Sequence, residues 1–218
     1  MYSEKHLLQW LREGEGPNLD FKHAVTNLHK IARSITAFAN SKGGILVIGI
    51  DDNKDILGVN VEAEKYQLNK ALKNFCAPTL PLQYHIINFK GAPILVAPVP
   101  ESQSKPIYAI DKKGNKKLYV RIQDNCVIAD SLFEEYLLNG SLNNPMIAYS
   151  VYENVRQKVA ATFENHGTLS AAEYAKMAGL EEKQATRRLL DMVLNGLLLK
   201  EENNANFYLA KQNKSAAA

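Results

Sequence analysis

The stretch that decides the fold of the first half of the chain is ITAFANSKGGILVIGIDD, residues 35–52. It ends a helix predicted over residues 28–40, in which apolar side chains recur every three or four positions on one face. A Gly-Gly pair then turns the chain into a strand predicted over residues 45–50, whose unbroken apolar run is typical of a buried strand. This helix, turn and strand predict a mixed α/β domain with one long hydrophobic strand near its centre.

Elements on both sides of that unit extend the same pattern. A short strand is predicted over residues 19–22, after a Gly-Pro turn, and a second long helix over residues 64–74. Two hairpins follow, each made of two strand-like segments around a glycine turn. The other elements predicted in this half are a helix over 6–12, strands over 82–89, 92–99, 107–110 and 118–122, and a closing helix over 130–138.

The chain divides at residues 139–145, where Asn, Gly, Ser and Pro cluster as they do in turns and linkers. One domain is therefore predicted over residues 1–140 and a second over residues 146–212. In the second domain, Ser170 and Glu173 have the spacing of a capping box, and Gly179 supplies the left-handed turn that ends a short helix. The order of a winged helix-turn-helix is completed by helices over 151–165 and 181–195 and short strands over 197–200 and 207–209.

Composition and charge exclude several classes of protein. The 218 residues carry a formal net charge of +3, which rules out a histone-like polycation and an acidic tail protein. The two cysteines lack zinc-ligand spacing, and the sequence has no phosphate-binding loop, dinucleotide fingerprint or HExxH motif. We recognise no signal peptide, and the longest apolar run is far short of the roughly 20 residues that span a bilayer. We therefore expect a cytoplasmic protein with no membrane partner.

The helix predicted over residues 181–195 would be the recognition helix of the winged helix, and its first two turns are rich in basic and amide side chains. Such side chains bond phosphates and read purine edges in the major groove of DNA. A solvated helix face explains the same residues without DNA, and winged helices also serve in dimerisation or protein docking. The candidate DNA-contacting residues on this helix are Lys183, Gln184, Thr186, Arg187 and Arg188.

A second basic cluster lies in the hairpin turn over residues 112–117. Four lysines around a glycine can sit on a phosphate backbone, although lysines also protect the edge of a sheet from pairing. An arginine on the strand that leaves this turn has a bidentate head suited to phosphate and equally suited to a carboxylate of the same domain. The candidate phosphate-contacting residues here are Lys112, Lys113, Lys116, Lys117 and Arg121.

Four acids form a third candidate site. Glu15 and Asp20 flank the turn into the first predicted strand, and Asp51 and Asp52 directly follow the buried strand. Carboxylates at the ends of neighbouring strands can converge on one Mg²⁺ or Mn²⁺ ion, which stabilises the charge that builds up in phosphodiester cleavage. On spacing alone, the four acids are explained better as turn caps and as partners of nearby basic side chains.

Four blocks of the first domain recur, in this order, in a known family. They are Gly14-Glu15 with Leu19-Asp20-Phe21-Lys22, then ITAFANSKGG over 35–44, then ILVIGIDD over 45–52 with ILG over 56–58, and finally Tyr119-Val120-Arg121. Over roughly residues 10–135 the chain thereby resembles the Schlafen AlbA-like domain family. The resemblance implies an AlbA-like α/β (α+β) domain. Many bacterial members that continue into a helix-turn-helix or winged helix are described as DNA-binding transcriptional regulators.

The resemblance also implies an alternative activity. Some relatives are metal-dependent ribonucleases that act on structured RNA through three acids, which lie before the LEFK block, within it and in the DD pair. Carried over by motif, these acids are Glu15, Asp20 and Asp51 or Asp52, and the first three would be the metal ligands. Asp20 stands where the family usually has glutamate, so its side chain is shorter by one methylene.

The sequence thus predicts a nucleic-acid-binding protein that acts as a DNA-binding transcriptional regulator, with a metal-dependent (endo)ribonuclease as the alternative. Whether the protein is an enzyme stays open at this point. No cofactor is expected, and Mg²⁺ or Mn²⁺ is required only by the nuclease. DNA is the expected partner and RNA the second candidate. A third hypothesis is an adaptor whose winged helix forms a homodimer.

Overall fold

The helix and the strand on either side of the Gly43–Gly44 turn both form in the computed structural model of the chain. Helix α2 spans Leu28–Asn40 and strand β2 spans Gly44–Ile48. The first glycine has φ +74°, and a Cβ there would lie 2.9 Å from the backbone oxygen of Val99. A Cβ on the second glycine would overlap the ring of Phe38. Glycine is therefore required at both positions, one for its backbone conformation and one for the close approach of the helix.

The structure describes residues 2–129, 134, 137–138, 162–163, 165–194, 198–200 and 206–209. The chain divides into two compact units, Met1–Ala129 and Asp130–Ala218. The predicted linker over residues 139–145 and most of the predicted closing helix over 130–138 lie outside the described residues. The limits of the two predicted domains therefore stay predictions.

A four-stranded sheet forms the centre of the first unit. Strand β2 pairs in parallel with β1 (Leu19–Lys22) and antiparallel with β5 (Ala92–Val99), and β4 (His85–Phe89) forms a hairpin with β5. The strand order is β1-β2-β5-β4, so β2 is an inner strand. The strand predicted to be central is thus placed between two partners, as its apolar run requires.

Helices cover both faces of this sheet. Helix α1 (Glu4–Glu13) packs Trp10 on one face, and α2 with α3 (Val61–Phe75) packs on the other. Successive residues of β2 accordingly belong to different clusters, with Leu46 facing α2 and Val47 facing α1. Burial on both faces explains why this strand shows no alternation of polar and apolar residues.

A second sheet packs against α2. The fully buried Asn40 at the end of α2 donates to the carbonyl oxygens of Ile107 (2.7 Å) and Tyr119 (2.8 Å) and accepts from the Ile107 N–H (2.8 Å). Ser41 Oγ accepts from the Arg121 N–H (2.7 Å). The C-terminal end of α2 therefore holds the second sheet in place through polar contacts. The four strands of this sheet, in the order in which they pair, are β3 (Cys76–Ala77), β6 (Tyr108–Ile110), β7 (Lys116–Ile122) and β8 (Asn125–Ile128).

The predicted elements within residues 2–129 form, with their ends shifted by a few residues. Helix α3 begins at Val61 rather than at residue 64, because the side chain of Asn60 caps it by accepting from Ala63 N (3.1 Å). Strands β3 and β8 were not predicted. They have two and four residues, which is too short for a periodic pattern to show in the sequence.

The second unit contains the predicted capping box. Glu173 Oε2 accepts from Ser170 N (2.8 Å), and Ser170 Oγ accepts from Glu173 N (3.2 Å), which starts helix α4 (Ala171–Ala178). The hydrogen bond from the Ser170 N–H, and then the one from the Ser170 hydroxyl to the same carboxylate oxygen (2.8 Å), lower the pKa of Glu173. Gly179 ends the helix in the left-handed conformation, with φ +64°, and α5 (Glu182–Leu194) follows. The local sequence signals in this unit are confirmed.

A small sheet accompanies these helices, in the order β10-β11-β9. Most of the helix predicted over residues 151–165 lies outside the described residues, so the described second unit is a region of helices with a small sheet. Within the described part of the chain, no helix has the length and apolar character needed to cross a membrane. The strands are β9 (Leu169–Ser170), β10 (Leu198–Lys200) and β11 (Asn206–Leu209).

Candidate nucleic-acid interface

The hairpin between β6 and β7 presents its four lysines to solvent. Asp111 holds the turn, because its Oδ1 accepts from Lys113 N (2.8 Å) and Asn115 N (2.9 Å), and Gly114 adopts φ +83°. The backbone hydrogen bond from Asn115 is the largest of the contributions that lower the pKa of Asp111. These hydrogen bonds therefore fix the backbone conformation of the turn. Its exposed side chains are Lys112, Lys113, Lys116 and Lys117.

A cavity of about 240 Å³ lies between this hairpin and the start of α2. Sequence reasoning missed the side chains of α2 that line it, which are His29, Lys30 and Arg33. The first turn of α2 has no acid, although helices ordinarily favour acids there. This departure is the sequence signal that could have indicated the site. The remaining lining residues are Asn27, Ala109, Ile110, Asp111, Lys112, Lys117 and Tyr119.

Arg121 is buried, and this corrects the prediction that it contacts phosphate. Its Nη2 lies 3.3 Å from Asp20 Oδ1, its Nε donates to Gly16 O (3.2 Å), and its guanidinium lies 4.9 Å from the centre of the Phe38 ring. Only 2% of the side chain is exposed. The arginine pairs with a carboxylate of its own domain, which was the other interpretation of its sequence position.

Glu15 and Asp20 are brought together, and basic groups surround them. Lys22 Nζ lies 3.0 Å from Asp20 Oδ1 and 3.8 Å from Glu15 Oε1. The Phe21 N–H donates to Glu15 Oε1 (2.7 Å). Burial raises the pKa of Glu15 above its ordinary value, and the Asp20 carboxylate adds to the rise, while the Phe21 hydrogen bond and the Lys22 charge oppose it.

The other two predicted acids do not complete a metal site in the described structure. Asp51 Oδ1 accepts from Asn53 N (2.9 Å) and Asp55 N (2.8 Å), so it caps its own turn, and Asp52 is exposed. No group of three or more His, Cys, Asp or Glu side chains suited to a metal ion occurs among the described residues. The residues present therefore do not fit Mg²⁺ or Mn²⁺ as they are arranged. Metal-dependent cleavage stays a prediction without support from this geometry.

The predicted DNA-contacting residues of α5 are divided between two faces of the helix. Lys183 and Gln184 are exposed, and Thr186 and Arg187 are half-buried. Thr186 Oγ1 donates to the Glu182 carbonyl oxygen (2.9 Å), so its hydroxyl is used within the helix.

Arg188 requires a correction, because it lies on the inward face of α5. It is 9% exposed, and its Nε and Nη1 have no hydrogen-bond partner among the described residues. The physical reason is helical spacing: Ala185, three positions earlier, and Met192, four positions later, are buried on the same face. As arranged, Arg188 does not reach a nucleic acid.

The first unit is thus a two-sheet α/β domain with a cation-rich hairpin and cavity. Residues 15–130 match the family described as Schlafen, AlbA_2, and because this match covers more than half of the chain, the protein belongs to that family. The predicted resemblance is confirmed. The domain is commonly associated with nucleic-acid binding and with transcriptional regulators.

Solved structures resemble the chain more distantly. The N-terminal domain of a RecG-related protein from Nitrosomonas europaea is 25% identical, with a TM-score of 0.44, and the match covers 51% of this chain and 83% of that one. The DIP2311 protein from Corynebacterium diphtheriae is 17% identical, with a TM-score of 0.42, and the match covers 63% of this chain and 34% of that one. No curated protein matches the chain.

Proposed function

We propose that this protein is a DNA-binding transcriptional regulator whose second unit is a winged helix and whose helix α5 enters the major groove. The observation that carries the proposal is the two-sided character of α5. Lys183 and Gln184 are exposed at its first turn and Arg187 follows one turn later, while Ala185 and Leu189 are buried. A recognition helix needs this division, because one face must stay in the core while the other meets base edges and phosphates.

The surrounding elements support the same proposal. The described order is β9, α4, a left-handed glycine turn, α5, β10 and β11, and the three strands form one sheet. A helix-turn-helix followed by a two-stranded wing has this order. Phe207 in β11 and Leu169 in β9 are paired across the sheet and fully buried, so the wing strands are joined to the helices by a core.

The first unit contributes a second cationic surface to this function. The exposed lysines of the β6–β7 hairpin match the charge of a phosphate backbone, and they do not require a particular base sequence. DNA is the partner we propose, and RNA is the alternative that the same assay distinguishes. A homodimer stays a prediction, which sedimentation of the full chain with and without DNA would measure.

The test is a mobility-shift series of the full chain on fragments of its own genome and on matched RNA, at low and moderate salt. We expect shifted DNA at low salt, and a loss of affinity of at least about tenfold in Lys183→Ala combined with Arg187→Ala. The matched control, Lys70→Ala with Lys73→Ala, removes the same charge from exposed positions of α3. No shift on any DNA at low salt, or equal losses in both double variants, overturns the proposal.

A further inference from the structure

The cavity between α2 and the β6–β7 hairpin gathers four cationic side chains. Lys30 and Arg33 reach it from α2, and Lys112 and Lys117 reach it from the hairpin. Among the described residues that line it, Asp111 is the one acid. That carboxylate already accepts hydrogen bonds from its own turn, at Lys113 N (2.8 Å) and Asn115 N (2.9 Å). One acid, whose charge also acts on Lys117, therefore faces four positive charges in a small space.

Few contacts among the described residues engage the four cations of this cavity, although the charge of Lys117 acts on Asp111. Within the described part of the chain, none of the four cations forms a salt bridge. Arg33 Nε is buried and has no hydrogen-bond partner among the described residues, while its guanidinium lies 5.8 Å from the centre of the Tyr119 ring. A buried donor without an acceptor is costly, and a bound anion would supply the acceptor.

The position of Lys30 on α2 is unfavourable for the helix itself. Lys30 lies in the first turn, which has no acid, and Asn27 is the cap. The N-terminal end of a helix carries partial positive charge and favours acids over bases. A residue that lowers the stability of its own helix is expected where a ligand binds.

We infer that this cavity binds the phosphate of a phosphomonoester, carried by a free nucleotide or by the end of a nucleic-acid strand. A terminal phosphate carries about 1.5 to 2 negative charges at neutral pH and three acceptor oxygens, which suits a cluster of Lys and Arg donors. The cavity is smaller than the roughly 300–1,000 Å³ of typical ligand pockets, so its size suits a phosphate with its sugar better than a whole dinucleotide. This site is separate from α5, and the inference does not depend on the proposed winged helix.

The hairpin offers a matched pair of variants. Lys116 and Lys117 are adjacent in β7 and therefore point to opposite faces of the sheet. Lys117 lines the cavity, whereas Lys116 Nζ lies over the ring of Tyr108 at 5.7 Å. In the turn, Lys112 lines the cavity and Lys113 does not. Lys112→Gln with Lys117→Gln and Lys113→Gln with Lys116→Gln thus remove equal charge from one hairpin, and all four side chains are exposed, so the fold is kept in both.

The experiment is calorimetric titration of the full chain with inorganic phosphate, adenosine 5′-monophosphate, and a single-stranded hexanucleotide with either a 5′-phosphate or a 5′-hydroxyl. We expect saturable binding of adenosine 5′-monophosphate. The Lys112→Gln, Lys117→Gln protein should bind it about tenfold more weakly, and the Lys113→Gln, Lys116→Gln protein within about twofold of the unmodified chain.

The titrations with different probes distinguish a strand end from a free nucleotide as the source of the phosphate. A strand end is the ligand if the 5′-phosphorylated hexanucleotide binds more tightly than both the hydroxyl form and the mononucleotide, and a free nucleotide is the ligand if it does not. Equal weakening in both double variants, or no binding of any phosphate probe, overturns the inference. Duplex DNA with 5′-hydroxyl ends, titrated in parallel, tests the proposed function separately.

Discussion

Arg121 Nη2 and Asp20 Oδ1 lie 3.3 Å apart in a buried ion pair, although 101 positions separate the two residues in the sequence. Asp20 lies in β1 of the first sheet and Arg121 in β7 of the second, so the pair joins the two sheets of the first unit. Lys22 Nζ also reaches the same carboxylate oxygen, at 3.0 Å. Asp20, which the family resemblance assigns to a metal site, is in this chain part of a buried ion pair that joins the two sheets.

Replacing one member of this pair should destabilise the first unit strongly. In Asp20→Asn the buried guanidinium of Arg121 keeps its charge without a counter-ion, and we expect a loss of about 3–5 kcal/mol in the free energy of unfolding. Lys22→Met is the control, because Lys22 is a third exposed and its pair should contribute less than about 1 kcal/mol. Urea unfolding followed by fluorescence isolates this unit, since Trp10 is the single tryptophan and lies in its core. Losses of similar size in the two variants would contradict the role assigned to the pair.

The raised pKa of Glu15 predicts a pH-dependent effect on stability. A carboxyl whose pKa is higher in the folded state contributes stability that is full below the unfolded pKa and is lost as pH rises through the folded one. Glu15→Gln stays neutral throughout, so its stability relative to the unmodified chain should increase between pH 4 and pH 7, a range that includes the ordinary glutamate pKa of 4.5 and the raised pKa of Glu15 above it. Urea midpoints at the two pH values measure this. Glu13→Gln on the exposed end of α1 is the control, and the same trend in both variants would argue against a special environment for Glu15.

The hairpin lysines should set part of the salt dependence of DNA binding. If Lys113 and Lys116 each neutralise one phosphate, replacing both with Gln should reduce the slope of log K against log salt by about 1.8. Fluorescence anisotropy on one duplex at several salt concentrations gives this slope. The double variant Lys70→Ala, Lys73→Ala should leave the slope unchanged. An unaltered slope in the hairpin variant would mean that the hairpin does not meet the DNA backbone.

Two neighbouring arginines of α5 should behave differently. Arg187→Gln removes a half-buried cation from the proposed DNA face, and we expect roughly 1–3 kcal/mol weaker binding. Arg188→Met replaces a buried side chain with an apolar one of similar length. Because Arg188 Nε and Nη1 have no hydrogen-bond partner among the described residues, DNA affinity should stay within about twofold. Anisotropy titrations of both proteins compare them directly. The reverse order of effects would show that α5 presents its other face.

The arrangement of the acids predicts the outcome of a nuclease assay. Asp20 is paired with Arg121 and Lys22, and Asp51 caps its own turn, so these two acids are bound to groups other than a metal ion. We expect no cleavage of transfer RNA or single-stranded RNA when the full chain is incubated with Mn²⁺. Gel analysis with and without EDTA checks this. Cleavage that EDTA abolishes and that Glu15→Gln loses would restore the ribonuclease hypothesis.

Local signals in the sequence predicted most of the described elements of both units. The periodicity of residues 28–40, the apolar run of β2, the capping box at Ser170 and the left-handed Gly179 depend on residues within a few positions of one another. The family followed from four such blocks. The elements that were missed are short, as with the two residues of β3, and the earlier start of α3 depends on the Asn60 cap.

The sequence by itself determined the helices, the central strands and the family, because spacing along the chain fixes which side chains share a face. Only the tertiary structure decided which basic and acidic side chains are available to a partner. Along β7, Arg121 lies on the face opposite to the apolar residues, as expected for an exposed side chain. Residues of α2 and β1 nevertheless cover it, and they lie some eighty to one hundred positions away in the chain. The cavity likewise unites α2 with a hairpin about eighty residues later. Charge is visible in a sequence, but its exposure and its partners arise from long-range packing.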